Sequence, residues 1–247
     1  MDTQILKAEA LSKRGHRRIR RNLFGAFLEA GQAHGGKKEI LTDGDGRVLT
    51  YADLTRAAFA LSSPLGKITG PGENVGILLP TGAGAMIAFL SVHAAGGIPA
   101  MLNFTAGIKN LRAAAKTAPI KTVITAHKFV EIGGLSSLIE QFSESVNIVY
   151  LEDMKEQVGL QGKMRAVLGP RLPSIFAPHT SPDDTGVILF TSGTEGNPKG
   201  VVLSHANILA NIEQIEEHVR LEDGDIIFNP LPTFHCYGLT AGTLWPV

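Results

Sequence analysis

Short apolar runs alternate with segments of helical composition through the middle of the chain. The apolar runs are ENVGILL, IPAML, KTVITA and VNIVYL. The segments between them are AGAMIAFLSVHAA, IKNLRAAAKT and LSSLIEQFSES. Strands that are apolar at nearly every position are typical of parallel sheets that helices cover on both faces. The pattern therefore predicts an α/β fold with a mostly parallel sheet flanked by helices.

The pattern changes in residues 151 to 184, where four prolines interrupt it. We interpret this segment as a linker or a long surface excursion. Beyond it, TGVILFT predicts a strand that leads into the glycine-rich stretch FTSGTEGNPKG at residues 190–200, and VVLS predicts another strand. Ser204 is expected to cap a helix that has one apolar face. That face contains Ile208, Ile212, Ile215 and Val219.

One stretch, from Val75 to Ile108, contains no Asp, Glu, Lys or Arg and is long enough to resemble a membrane span. Pro80 and several glycines divide it into a strand, a short helix and a second strand. The helix would have about half the length that a bilayer requires, so we expect no span. Only one cysteine is present, and the first thirty residues contain no apolar run like that of a signal peptide. We therefore expect a cytoplasmic protein.

Charge is distributed unevenly along the 247 residues, although the formal net charge is +0. A neutral chain argues against a general nucleic-acid binder and favours small molecules or proteins as partners. Up to Lys38, however, nine Lys or Arg residues accompany only three acidic residues. We interpret residues 1–21 as a basic arm or linker. It is either solvated or in peripheral contact with anionic lipid headgroups at the inner face of the membrane.

The glycine-rich stretch combines backbone freedom, hydroxyl groups and a positive charge. Glycines allow several N–H groups to point toward one anion, which hydroxyls and a lysine also attract. The stretch therefore predicts a polyphosphate site, with a polar turn as the alternative. A P-loop is excluded, because Lys199 follows Pro198 and precedes Gly200. The groups concerned are Gly193, Gly196, Gly200, Thr191, Ser192, Thr194 and Lys199.

Four segments resemble motifs of the adenylate-forming, or AMP-binding, superfamily, which includes the acyl-CoA synthetases. They are LTYADL at 49–54, MLNFTAG at 101–107, FTSGTEGNPKGVVLSH at 190–205 and NPLPTFHCYG at 229–238. They occur in the order of the family's motifs, and the resemblance covers residues 22–247. It implies that these residues form a truncated part of the family's large N-terminal domain, without the small mobile domain.

The resemblance implies a reaction in two steps. A carboxylate attacks the α-phosphate of ATP, which gives an acyl-adenylate and pyrophosphate, and a thiol then takes the acyl group. Mg²⁺ would neutralise the leaving pyrophosphate, with protein ligands that the sequence does not identify. The residues implied in catalysis are Lys199 and His235. The residues implied in ATP binding are Thr191, Ser192, Gly193, Thr194, Glu195, Gly196 and Lys199.

Two neighbouring residues of the last motif have alternative interpretations. His235 is implied to lie near the carboxylate and the acyl pocket, but beside Phe234 and Tyr237 it equally suits a core position. Cys236 has no indicated partner base, so we expect it to be buried among apolar side chains.

Glu195 departs from the superfamily, most members of which have threonine there. With the PKGVV run, it makes the loop similar to the acyl-carrier-protein synthetase half of bifunctional 2-acylglycerophosphoethanolamine acyltransferases. This similarity implies a long-chain fatty acid as substrate, and acyl carrier protein or CoA as thiol partner. The acyltransferase half would need a histidine and an aspartate separated by four residues near the amino end. His179 and Asp184 have that spacing late in the chain, and we interpret this pair as chance.

The family's later segments, which hold adenine and ribose and supply a distal lysine, do not occur in this sequence. We therefore expect the activity in a longer parent protein and an inactive fragment here. The alternative is a non-catalytic remnant, an α/β domain that binds a partner.

Overall fold

Two β-sheets organise the computed structural model, which describes residues 21–191, 198–222 and 224–247. The small antiparallel sheet contains β1 (Glu39–Thr42) and β2 (Val48–Thr50). The strand order of the larger sheet is β6-β5-β3-β4-β7-β8, with β8 at one edge, and all neighbours are parallel except β7 and β8. The predicted, mostly parallel sheet is thus confirmed. Its strands are β3 (Asn74–Ile77), β4 (Ile98–Met101), β5 (Thr122–Thr125), β6 (Asn147–Tyr150), β7 (Thr185–Thr191) and β8 (Lys199–Ser204).

Helices cover both faces of the larger sheet, as predicted. They are α1 (Leu23–His34), α2 (Tyr51–Leu65), α3 (Ala83–Ala94), α4 (Gly107–Thr117), α5 (His127–Ile132), α6 (Ser136–Ser143), α7 (Leu151–Glu156), α8 (Leu160–Leu168), α9 (Pro173–Phe176), α10 (His205–His218) and α11 (Cys236–Leu239), with a π-helical turn at Thr240–Leu244. Strand residues on the two faces belong to two separate apolar clusters. Val75 and Ile77 pack with α1, α2, α3 and α10, whereas Leu102 and Val123 pack with α4 and α6.

The chain leaves the neighbouring strands β3 and β4 toward opposite faces of the sheet. After β3 it forms α3 on the first face, and after β4 it forms α4 on the second face. A crevice opens between the carboxyl ends of two strands whose connections diverge in this way, and open α/β sheets bind ligands there. The topology therefore places a candidate ligand site beside Thr81, which follows β3, and Asn103, which follows β4.

The uncharged stretch from Val75 to Ile108 is divided mainly into β3, α3 and β4, as predicted. Most of α3 is buried, with Phe89 and Leu90 in the core cluster on the first face of the sheet. A helix that is covered on most sides has no position for a charged side chain. Within the described ranges, no helix is both long and apolar enough to cross a bilayer.

The prediction of a linker at residues 151–184 was wrong, because α7, α8 and α9 lie within it. At Gly162, α8 approaches α2 so closely that a Cβ atom would lie 3.0 Å from the Ala60 carbonyl oxygen. The Arg165 guanidinium, which is partly buried, donates hydrogen bonds to Ser62 Oγ (3.0 Å) and to the carbonyls of Ala94 (3.2 Å) and Phe176 (2.9 Å). Proline is compatible with the first turn of a helix, where Pro173 lies, so it did not exclude helices here.

The predicted N-cap at Ser204 is confirmed, and it joins β8 directly to α10. Ser204 Oγ accepts a hydrogen bond from the Asn207 N–H (3.1 Å), and the Asn207 side chain accepts one from the Ser204 N–H (3.0 Å). This reciprocal capping satisfies two N–H groups that the first turn of a helix leaves free, and such caps typically contribute about 1 kcal/mol.

Two buried histidines join three helices near this junction. The imidazoles of His93 at the end of α3 and His205 at the start of α10 have ring centroids 5.2 Å apart. His205 Nδ1 accepts a hydrogen bond from the Leu23 N–H of α1 (3.1 Å), and His93 Nε2 has no partner in the described structure. Burial, together with the neighbouring His205, lowers the pKa of His93 to about 3. Burial also lowers the pKa of His205 to about 4, although Asp184 opposes this shift.

We predict that the protein loses stability as the pH falls from about 6.5 toward 4. In this range the unfolded histidines bind protons that the folded ones cannot bind, so each should lower the free energy of unfolding by about 2 kcal/mol between pH 7 and pH 5. His93→Gln should remove about half of the loss, measured by urea unfolding at the two pH values. His179→Gln, at an exposed histidine, is the control and should keep the full loss. An unchanged pH dependence in His93→Gln would contradict the prediction.

Candidate functional site

The predicted phosphate loop connects the two strands of the β7–β8 hairpin. Thr191 and Lys199 lie opposite each other in the antiparallel register. Both are exposed, because β7 leaves the buried core after Leu189. The structure thus brings both ends of the predicted loop together at the carboxyl end of β7, where their roles in ATP binding and catalysis stay predictions. The other residues predicted to bind ATP lie outside the described residues: Ser192, Gly193, Thr194, Glu195 and Gly196.

The segment that precedes His235 lies at the crevice between β3 and β4. The Thr81 hydroxyl donates a hydrogen bond to the Leu231 carbonyl (2.8 Å) and accepts one from the Thr233 N–H (3.1 Å). Phe234, which is 5% exposed, packs edge-on against Phe104 with ring centroids 5.4 Å apart. Phe104 belongs to the short turn that follows β4. Contacts from both strand ends therefore hold this segment.

His235 itself is exposed, so its alternative interpretation as a core histidine was wrong. Phe234 takes the inward position, and the chain then turns outward into α11. The His235 N–H donates to the Pro232 carbonyl (3.0 Å), and the imidazole lies 4.8 Å from the Phe234 ring. Cys236 is also exposed, so the expectation that it is buried was wrong for the same reason. The geometry leaves the imidazole accessible at the carboxyl edge of the sheet, where its catalytic role stays a prediction.

Asn229 ties the two ends of this segment together. Its Nδ2 donates hydrogen bonds to the Gly238 carbonyl (3.0 Å) and to Thr243 Oγ1 (3.1 Å). Its Oδ1 accepts a hydrogen bond from the Leu231 N–H (3.1 Å). Gly242 is in such close contact with the Asn229 side chain that any Cβ atom there would overlap it. Residues 229–243 therefore form one hydrogen-bonded unit around the Asn229 amide.

An open cavity of about 620 Å³ lies between this unit and α10. Its volume falls within the range of about 300–1,000 Å³ that is typical of small-molecule pockets. Gln214, His218 and Asn229 supply polar groups to its lining. Most of the surface is apolar, and it includes Ile215, Val219, Phe228, Tyr237, Ala241 and Trp245. The predicted apolar face of α10 thus contributes to a cavity as well as to the core.

Two other kinds of site find no support in the described part of the chain. It contains no group of three His, Cys, Asp or Glu side chains placed to hold a metal ion. Within the described residues no hydrogen bond joins the late pair His179 and Asp184, and Asp184 Oδ2 instead accepts one from the Ser181 N–H (2.7 Å).

Comparison with known protein families identifies the family of this chain. The family model described as AMP-binding enzyme matches residues 27–247. This chain belongs to the AMP-binding enzyme family. The resemblance carried by the four sequence motifs is therefore confirmed, and each motif of this AMP-binding chain lies within the matched range.

Known relatives of this AMP-binding chain include ligases of both thiol classes. The long-chain-fatty-acid–CoA ligase of Bacillus subtilis is 28% identical over 221 residues, which are 79% of this chain and 39% of that protein. The chloroplastic long-chain-fatty-acid–acyl-carrier-protein ligase AEE15 of Arabidopsis thaliana is 35% identical over 105 residues, 42% of this chain and 14% of that protein. The chain spans only 38 to 40% of the length of the curated relatives that it matches along most of its own length.

Solved structures support the fold of this AMP-binding chain independently. The complex of VinN with 3-methylaspartate matches 92% of this chain and 59% of the VinN chain, with a TM-score of 0.76 and 20% sequence identity. At this identity the likeness extends to the fold alone.

Sequence reasoning missed three residues that shape the site. Asn229 and Phe104 both lie in segments that resemble family motifs, so position in a motif was a signal for them. Thr81 had no such signal, because both of its hydrogen-bond partners are at least 150 residues away in the sequence.

Proposed function

We propose that this chain supplies the phosphate loop and part of the acyl pocket of a carboxylic acid–thiol ligase. The enzyme joins a carboxylate to the α-phosphate of ATP, releases pyrophosphate and passes the acyl group to the thiol of CoA or acyl carrier protein. The observation that carries the proposal is the pairing of Thr191 and Lys199 at the mouth of the β7–β8 hairpin in a member of the AMP-binding family. The reaction itself belongs to a protein with the length of the relatives.

The exposed groups of the hairpin have the chemistry needed to stabilise the negative charge that shifts onto pyrophosphate in this reaction. The Lys199 ammonium is a compact positive charge on a flexible stem, and the Thr191 hydroxyl donates a hydrogen bond to an anion. These groups would hold the β- and γ-phosphate oxygens and stabilise the negative charge that develops on pyrophosphate. Mg²⁺ would supply further charge neutralisation there. His235, exposed beyond the crevice, would lie beside the carboxylate.

A long-chain fatty acid is the substrate that the cavity favours. The cavity is mainly apolar and lies beside residues 229–238, and an acyl chain buried there would gain hydrophobic stabilisation along its length. Ligases for long-chain fatty acids among the relatives support the same class. The proposal does not extend to phospholipid acyl transfer. Contact of the basic arm with membranes stays a prediction, because residues 1–20 lie outside the described structure.

A non-catalytic partner-binding domain is the second candidate function, and exposed apolar side chains favour it. Ile226 is 92% exposed and Phe228 is 86% exposed in the segment that leads to the cavity. Neighbouring exposed apolar patches of this kind often mark surfaces that other protein segments cover. Assays of catalysis separate this candidate from the ligase.

We predict that Lys199→Ala lowers the exchange of pyrophosphate into ATP by about 10²-fold, because one charge-stabilising group is lost. Exchange should be measured with a panel of carboxylates in the 247-residue chain and in a form extended to the length of the relatives. We expect exchange in the extended form alone. Lys67→Ala, at an exposed lysine after α2, is the control and should leave exchange unchanged.

Three outcomes would contradict parts of this proposal. If Lys199→Ala exchanged pyrophosphate as fast as the unsubstituted extended form, Lys199 would have no role in the mechanism. Robust exchange by the 247-residue chain would contradict the expectation of an inactive fragment. No exchange by the extended form with any carboxylate would support the non-catalytic domain instead.

We also predict that Ala241→Leu reduces the maximum length of acyl chain that the extended form accepts. Ala241 is buried at the cavity wall, so a larger side chain should occupy the space of several methylene groups. Since each methylene contributes about 10-fold or more to discrimination, the KM for palmitate should rise at least about 10-fold while that for butyrate changes little. Ala33→Leu, at an exposed position of α1, is the matched control. Equal effects on both acids would exclude this cavity as the acyl site.

A further inference from the structure

The unit that carries His235 is internally stable but is joined to the sheet by few polar contacts. Asn229 holds its two ends together, as described above. In the described part of the chain, both hydrogen bonds that join residues 229–238 to the sheet edge end on Thr81 Oγ1. Apolar packing adds to these bonds, because Phe234 lies edge-on against Phe104 of the turn after β4 and belongs to the core cluster on the first face.

Thr81 has both of its hydrogen-bonding functions engaged by this unit. A hydroxyl group has one donor and two acceptor lone pairs. The donor is directed to the Leu231 carbonyl at 2.8 Å, and a lone pair accepts the Thr233 N–H at 3.1 Å. Thr233 is only 2% exposed, so loss of this acceptor would leave a buried N–H group without a partner. The arrangement fixes the backbone at Leu231 and at Thr233, shortly before His235.

We infer that Thr81 is a positioning residue, whose hydroxyl fixes the backbone of residues 231–233 and thereby places His235 at the mouth of the β3/β4 crevice. The structural part of this inference concerns the chain alone. Its consequence for catalysis rests on the proposed function, in which His235 lies beside the carboxylate. Positioning of this kind acts on the reacting geometry, and displacement by about 1 Å can cost up to about 10²-fold in rate.

The structural part is tested by hydrogen exchange on the 247-residue chain. Thr81→Val has nearly the same shape as threonine but removes both hydrogen bonds, whereas Thr81→Ser keeps them. We expect the Thr233 amide to exchange at least about 10-fold faster in Thr81→Val and at the wild-type rate in Thr81→Ser. Thr42→Val, at an exposed end of β1, controls for the loss of a surface hydroxyl. Equal exchange at Thr233 in all four proteins would overturn the inference.

The catalytic consequence is tested by kinetics of the extended form. Thr81→Val should lower kcat for fatty-acid-dependent exchange by about 10-fold, without a change in the KM for ATP, and Thr81→Ser should restore it. Faster amide exchange with unchanged kcat would overturn the positioning role. An extended form with no exchange activity would contradict the proposed function alone, because the Thr233 result is independent of catalysis.

Discussion

The divergence of the connections after β3 and β4 is the constraint on which the rest of the site depends. Because α3 and α4 cover opposite faces, neither of them crosses the carboxyl ends of these two strands, and the crevice stays open to another segment. Residues 231–235 lie there, although they come from the end of the chain. The phosphate hairpin follows from the same topology, since β7 pairs with β4 and ends at the same edge of the sheet.

The order of strands and helices was largely predictable because it depends on local composition. Buried parallel strands and their helices leave continuous apolar runs in the sequence, and Ser204 followed by an apolar face indicated α10 in advance. The prediction of a linker at residues 151–184 also failed for a local reason. Their prolines resemble the breaks of a linker, but Pro173 begins a short helix, and the close approach at Gly162 and the hydrogen bonds of Arg165 hold α8 against its neighbours.

The site was predictable only where its chemistry is contiguous in the sequence. The loop from Thr191 to Lys199 was found by its residue types, and the family comparison confirms the family to which it pointed. The orientation of His235 and Cys236 was not predictable, because it depends on which of three adjacent aromatic or polar residues turns inward. Phe234 does so through its contact with Phe104, which is distant in the sequence. The structural contribution of Thr81 was equally unpredictable from local patterns, because its hydrogen-bond partner Thr233 is distant in the sequence.

The position of β8 at the edge of the sheet has a practical consequence for work with this protein. In the described structure its outer side has no neighbouring strand, and it has exposed valines, of which Val202 is 60% exposed. Such an edge is a template for the backbone of another molecule, and charged side chains that would discourage pairing are sparse there. We therefore expect concentrated preparations of this chain to aggregate through this strand. A lysine in place of the exposed Val202 would put a charge on this edge, and such a charge disfavours pairing with another strand.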